Sequence, residues 1–378
     1  MKEQEYNFND IAPYSDSEFH SRMENLVKEP GFLHVINYTM PPQDVPALIE
    51  ELLKIDNTYD FQHQVMFPFL EMLAKTTTSG ISLGGVKYLN PSSNYTFITN
   101  HRDIVLDASF LNLAFLRRGL PTSEVAIGNN LLIFDWITEL VRLNKSFIVK
   151  RNTGLREGLL AAKKLSAYIH HCLLDKRESV WIAQRNGRAK DGRDATDQGI
   201  VKMFAMSGSN DKAAALAELN IVPVAVSYEW ESCDMLKAVE LCKSRNAKYV
   251  KKAGEDLNSI LTGLLQPKGR VHIEICEPLR EEELRQFGNC VGNELNKKVA
   301  ALMDCRIYEA YRLTPNNFIA SDMRSGSNRF ADRYTDEQRA AFAGHMSRLD
   351  ECEGCDKELL REIFLGIYAN PVEYKNFD

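Results

Sequence analysis

Nowhere does this sequence hold a long apolar run. A helix that crosses a bilayer needs about 20 mostly apolar residues, and the best stretch, AIGNNLLIFDWITELVRL, is interrupted by Asp135, Glu139 and Arg142. Any membrane contact is therefore expected to be peripheral. An export signal is missing too: the opening MKEQEYNFNDIAPYSD is polar and acidic, without a basic start and an apolar centre. There is no excess of positive charge. With 46 Lys+Arg against 52 Asp+Glu and a net charge of −6, the chain does not read as a globally basic nucleic-acid binder, and no nucleic acid partner is expected. Cysteine is modest, at 8 residues, and without an export signal these thiols are expected to stay reduced in the cytoplasm. Cys352 and Cys355 are the one close-spaced pair. A structural zinc site needs two more ligands, so no metal is expected. A G-x-S-x-G serine motif, an internal repeat and a low-complexity linker are also lacking.

What is present reads as a globular protein. The hydrophobic fraction is 44% and the charged fraction 26%, close to the globular average, and 378 residues suffice for one large core with helical additions. Residues 1–75 read as helical. Ser15 and Glu18 form a capping box for a first helix that stops near Pro30 and Gly31. A second helix follows Pro41 and Pro42, with Val45, Leu48, Ile49, Leu52 and Leu53 at helical spacing, and a third covers about Tyr59 to Lys75. From Thr76 the period changes. TTTSGISLGG reads as a loop, and VKYL and YTFIT as short strands. Further strands are FIVK (147–150), VWIAQ (180–184), IVPVAVSYE (221–229) and GRVHIEICEPL (269–279), with an amphipathic helix from Leu155 to Leu174. This alternation predicts an α/β fold, a central, largely parallel sheet flanked by helices. Three parts follow: a helical N-terminal element (1–75), an α/β catalytic domain (76–280) and a helical C-terminal element (281–378).

Chemistry concentrates in TNHRDIVLDASF. His101 follows the strand YTFIT, with Asp103 and Asp107 close behind. A strand end that opens into a helix is where α/β enzymes place reactive groups. An imidazole accepts a hydroxyl proton near neutral pH, and a carboxylate on its other nitrogen fixes the tautomer. The plain alternative is a satisfied structural histidine, with one acid capping the next helix. Lys150, Arg151, Arg185, Arg188 and Lys190 fall at or beyond strand ends. They suit an anionic ligand, or form a solvated basic edge paired with carboxylates in the manner of Arg193 and Asp194. Two apolar segments, Ala108 to Leu116 with Arg117 and Arg118, and Leu131 to Leu143, fit either a bilayer surface or the core.

NHRDIVLD resembles the first motif of the glycerophospholipid acyltransferase family. FIVKRN, WIAQRNGRAKDG and IVPVAVSYE resemble its second, third and fourth motifs, so the ordered set covers about Thr76 to Leu279. The resemblance implies His101 as general base and a following Asp as its orienting acid. It implies Arg151 and Arg188 at the acceptor phosphate, with Lys150, Arg185, Asn186, Gly187 and Lys190 beside them. Gly187 is expected to allow close backbone approach. The implied activity moves a fatty acyl group from acyl-CoA or acyl-carrier protein to the hydroxyl of glycerol 3-phosphate, a lysophospholipid or a related polar-lipid precursor. No metal or organic cofactor is implied, and the expected place is the cytoplasm, at the inner face of the membrane. Three departures stand out. The family's Asp position is Leu106, which leaves Asp107 favoured over Asp103; Asn186 replaces the family's Glu; and Ala189 takes the patterned Arg position, with Arg188 one place early. They motivate a second expectation, a catalytically impaired lipid-binding or scaffold protein on the same fold.

Overall fold

Seven strands lie between Thr78 and Ile275 in the computed structural model, which describes residues 6–375 apart from 40–43, 152–153, 246–248, 250–253, 289 and 291–292. They are β1 (Thr78–Gly84), β2 (Thr96–Thr99), β3 (Glu124–Gly128), β4 (Ser146–Val149), β5 (Val180–Ala183), β6 (Ile221–Tyr228) and β7 (Gly269–Ile275). They form one sheet in the order β1-β7-β6-β2-β5-β3-β4. Neighbours are parallel except β6 and β7, which run antiparallel. The expected largely parallel, helix-flanked sheet is what the chain builds. The run IVPVAVSY suits β6 because all eight of its residues are buried, as in a strand covered on both faces.

Alternation along the strands divides the core. On one face Phe97, Trp181, Val224, Val226 and Ile273 pack with Phe110, Leu111 and Leu113 of the helix Leu106–Leu116. On the other, Ile98, Ile182 and Ile221 meet Ile169, Phe204, Val299 and Met303. Phe110 and Leu111 are fully buried, and each contributes about 1.5–3 kcal/mol through removal from water. Nine residues of the helix Leu106–Leu116 are buried, and Arg117 pairs with Glu71 at 2.7 Å. That helix is core, so the bilayer-surface alternative does not apply to it.

Several local expectations change. TTTSGISLGG supplies strand β1, and VKYL makes a 3-10 turn (Val86–Tyr88) instead of a strand. β1 is an edge strand with a half-exposed burial pattern, so it lacks the apolar run that marks the inner strands. Its Gly84 leaves room for a neighbour: a Cβ there would lie 1.9 Å from Glu274 Oε2 on β7 and displace that side chain. Strand β3, the short EVAIG, was not anticipated. The Ser15–Glu18 capping box is present, but Pro30 opens a new helix (Pro30–Thr39) as well as following the first. The expected Pro41-Pro42 start lies outside the described residues; the next helix, Val45–Leu52, is capped by Asp44. The N-terminal helices pack Phe19, Leu26 and Phe61 against Leu143. At the other end, Phe364 and Tyr368 of the helix Lys357–Ala369 pack on Ala238 and Cys242. No helix among the described residues is long and apolar enough to cross a membrane.

Candidate active site

Asn100 ends β2 by replacing backbone pairing with its side chain. Its Oδ1 accepts from Val226 N (2.7 Å) and its Nδ2 donates to Val226 O (3.0 Å). The next residue, His101, is thereby pushed out at the strand's carboxyl end, 9% exposed. His101 Nδ1 lies 3.0 Å from Asp107 Oδ2, in the first turn of the helix Leu106–Leu116. The same oxygen accepts from the amides of Arg102 (2.7 Å) and Asp103 (3.0 Å), and Tyr228 Oη donates to Oδ1 at 2.9 Å. Four donors thus fix a fully buried carboxylate. The extra residue between His101 and Asp107 is absorbed by this turn, whose amides wrap around the acid. A carboxylate only accepts, so Nδ1 carries the proton and Nε2 keeps its lone pair. Burial, followed by the charge of Asp107, drives the Tyr228 phenol well above its ordinary pKa, so it remains a donor.

Asp103 does something else. Its Oδ1 accepts from the amides of Val105 and Leu106, both at 2.8 Å, and Ser232 Oγ donates to its Oδ2. It holds the entry to the helix, and the geometry pairs Asp107 with the imidazole.

Behind His101 stands a buried ionic frame that sequence reasoning missed. Arg102 is 0% exposed and bonds Asp194 (2.5 Å) and Glu231 (3.3 Å), with Tyr311 under its guanidinium at 5.2 Å. Lys237 Nζ donates to Glu231 (2.6 Å) and to the Arg102 carbonyl (2.7 Å). Burial works against the Arg102 cation, but Asp194 and Glu231 outweigh it and hold its pKa well above the ordinary arginine value. A charge pairing with residues 92 and 129 positions away leaves no local signal beyond charged residues that flank strand ends.

The loop after β5 carries the other candidates. Gln184 N donates to Thr99 O (2.9 Å) and Ala189 N to His101 O (2.7 Å), so the loop lies along the base. Arg188 is 8% exposed, and its Nη1 is buried without a hydrogen-bond partner. Arg185 is half-buried and Asn186 exposed, with no carboxylate paired to Arg185 among the described residues. Gly187 has φ +80°, and a Cβ at this position would meet nothing within 4 Å, so a left-handed turn requires this glycine and no close approach is made there. Two lysines leave the anion-binding set: Lys150 pairs with Asp10 at 2.7 Å, and Lys190 pairs with Glu240. Arg151 stays unpaired by acids among the described residues. Its amide donates to Asn129 Oδ1 (2.8 Å), and burial lowers its pKa. It sits past β4, at the same sheet edge as the β5 loop.

No group of three or more His, Cys, Asp or Glu side chains among the described residues is placed to hold a metal ion. The eight cysteines carry free thiols.

Residues 80–227 match the family described as Acyltransferase. No curated protein matches the chain. Among solved structures, the 1-acyl-sn-glycerophosphate (LPA) acyltransferase PlsC from Thermotoga maritima is similar at 13% identity, covering 78% of this chain and 94% of that chain, with a TM-score of 0.37.

Proposed function

We propose, from the match of residues 80–227 to the Acyltransferase family, that the protein transfers a fatty acyl group to the hydroxyl of a phosphate-bearing polar-lipid precursor, with His101 as general base. The observation that carries this reading is the 3.0 Å bond between His101 Nδ1 and the buried Asp107. Nε2 takes the acceptor's hydroxyl proton while that oxygen attacks the acyl thioester carbonyl. A C–O bond forms, the C–S bond breaks, and the proton passes from the imidazolium to the departing thiolate. Asp107 stabilises the imidazolium between these steps. The donor is an acyl-CoA or an acyl-carrier protein, and the sequence of bonds balances without a cofactor.

Arg188 holds the acceptor's phosphate. A buried guanidinium nitrogen without a partner is costly unless an anion satisfies it. Arg185 and Arg151 add positive charge at the same edge. Exposed Ile133, Phe134, Leu155 and Leu160 support peripheral seating on a membrane surface, where such acceptors reside. Radiolabelled acyl transfer against glycerol 3-phosphate, a lysophosphatidate and an uncharged lysolipid tests the reading. Product on a phosphate-bearing acceptor is expected. Lipid binding without product on any acceptor would assign the chain to the scaffold alternative.

A further inference from the structure

On the sheet face opposite Asp107, a second set of hydrogen-bonded side chains stands apart from the site above. Tyr228, Val271 and Ile273 point toward the helix Leu106–Leu116, so alternation turns Ser227, His272 and Glu274 to the other face. In the parallel β1–β7 pair, Ser82 lies opposite His272, and Gly84 opposite Glu274. Ser82 Oγ is 2.7 Å from His272 Nδ1, and His272 Nε2 is 2.8 Å from Glu274 Oε2. Because the carboxylate only accepts, Nε2 carries the proton, and Nδ1 offers its lone pair to the Ser82 hydroxyl. Gly84 is what admits the acid: any Cβ there would overlap Glu274 Oε2 at 1.9 Å.

Ser82 and His272 open into a cleft of about 570 Å³ that Arg312 and Arg333 also line, with Glu274 behind the imidazole. Ser82 is exposed to it. Arg312 Nη1 comes within 3.5 Å of His272 Nδ1, the nitrogen that also meets the Ser82 hydroxyl. Burial lowers the His272 pKa; Glu274 opposes this and Arg312 reinforces it, so the neutral imidazole is favoured.

We propose that Ser82, His272 and Glu274 form a second nucleophilic site, which cleaves a carboxylic ester bearing an anionic group through an acyl-Ser82 intermediate. Serine, base and orienting acid are recognised by geometry and role, whatever elements carry them. Ser82 Oγ attacks the ester carbonyl carbon as its proton moves to His272 Nδ1. The oxyanion that forms faces the Arg312 guanidinium. The C–O bond to the alcohol then breaks, and the leaving alkoxide takes the proton from Nδ1. Water, deprotonated by the same nitrogen, attacks the acyl-Ser82 ester, releases the carboxylic acid and restores the serine. Arg312 and Arg333 select an ester that carries negative charge. None of these groups belongs to the acyl-transfer machinery, so the site stands or falls independently of that reading.

A fluorophosphonate probe tests the nucleophile on the full-length chain, since attack by Ser82 forms an O–P bond and expels fluoride. Intact mass and peptide mapping should place one adduct on Ser82. Labelling should vanish in Ser82→Ala and slow by about 10²–10⁴-fold in His272→Gln, with thermal melting confirming that both variants are folded. Gly84→Ala, which displaces Glu274, should slow it as well. Two p-nitrophenyl esters, one neutral and one with a terminal carboxylate, test selectivity: the charged ester should turn over faster, and Arg312→Ala should remove the preference. An unlabelled Ser82, or a labelling rate that His272→Gln leaves unchanged, would overturn the proposal and leave the three groups as a hydrogen-bonded ladder at a sheet edge.

Discussion

Ala189 donates its backbone N–H to the carbonyl of His101 at 2.7 Å. This one bond joins the loop that carries Arg185 and Arg188 to the residue that carries the base. The cationic loop and the imidazole are therefore set by the same stretch of backbone, so an acceptor that Arg188 held, as proposed, would be positioned relative to Nε2 by that bond. Misplacement of about 1 Å costs on the order of 10²-fold in rate, which gives such coupling its value.

Replacing the base should remove the reaction and spare the fold. His101 is a buried imidazole at a strand end, with one side-chain bond to Asp107. His101→Ala should lower kcat by about 10²–10⁴-fold, with an unchanged melting temperature. Near-normal turnover by the purified variant would refute the general-base assignment.

The two acids should separate by kind of damage. Asp107→Asn keeps the shape but loses the charge that stabilises the imidazolium, so kcat should drop steeply. Asp103→Ala removes the acceptor for the Val105 and Leu106 amides. It should cost about 0.5–2 kcal/mol of stability, as lost caps do, and less activity. Parallel kcat and denaturant measurements decide, and the reverse ranking in kcat would hand the orienting role to Asp103.

Arg102→Met should be among the most damaging changes in the chain. It leaves Asp194 without its counter-cation in a dry interior, with only Asn100 Nδ2 still donating to it, and takes one of two cations from Glu231, a loss of about 3–5 kcal/mol. Soluble yield and the urea midpoint should both fall, and a variant as stable as the parent would show that the frame bears little of the fold.

The anion site should respond through acceptor affinity. Arg188→Ala should raise KM for a phosphate-bearing acceptor far more than it lowers kcat, and leave an uncharged acceptor unaffected. Asn186→Glu places a carboxylate between Arg185 and Arg188. Charge-assisted bonds would then hold the arginines more firmly, and kcat/KM for the phosphate-bearing acceptor should rise. Lower activity of that variant on every acceptor would count against the phosphate assignment.

Stability should fall as the solution is acidified through the histidine range. Burial lowers the His170 pKa below its ordinary 6.5, against opposing contributions from the Phe204 carbonyl and Glu218. The unfolded chain therefore takes up this proton before the folded one, and folding weakens as pH drops below about 6.5. Comparing unfolding free energies at about pH 7.5 and about pH 5.5 should show the loss, and His170→Gln should reduce it. A parallel drop in both proteins would remove His170 from the explanation.

The parts legible in the sequence are those with local causes. β2, β5 and β6 are buried on both faces, and their β-branched and aromatic runs marked them. His101 announced itself by following such a run, two residues past Thr99. β1 stayed hidden because an edge strand that must leave room for Glu274 needs glycine where strands usually carry bulk. Choosing between Asp103 and Asp107 depended on which way two amides point within a tight turn, and residue spacing does not encode that. Lys150 and Lys190 looked like ligand-binding cations because Asp10 and Glu240, which neutralise them, lie 140 and 50 residues away. Arg102 gave no local signal for the same reason, since Asp194 and Glu231 lie 92 and 129 residues away.

Long-range closure of that frame also orders events during synthesis. Asp194 N donates to Tyr374 Oη, which in turn donates to Gly192 O, and Glu231 N donates to Tyr368 Oη. A ribosome that has translated residue 310 has made His101, Asp107 and Arg188, yet the tyrosines that lock the frame around Arg102 are still unmade or inside the exit tunnel. β1 likewise waits almost two hundred residues for β7. Contacts so distant in sequence form slowly and expose apolar surface while they are awaited. The nascent chain should therefore depend on chaperones until the helix Lys357–Ala369 has emerged, and the frame around Arg102 should close only then.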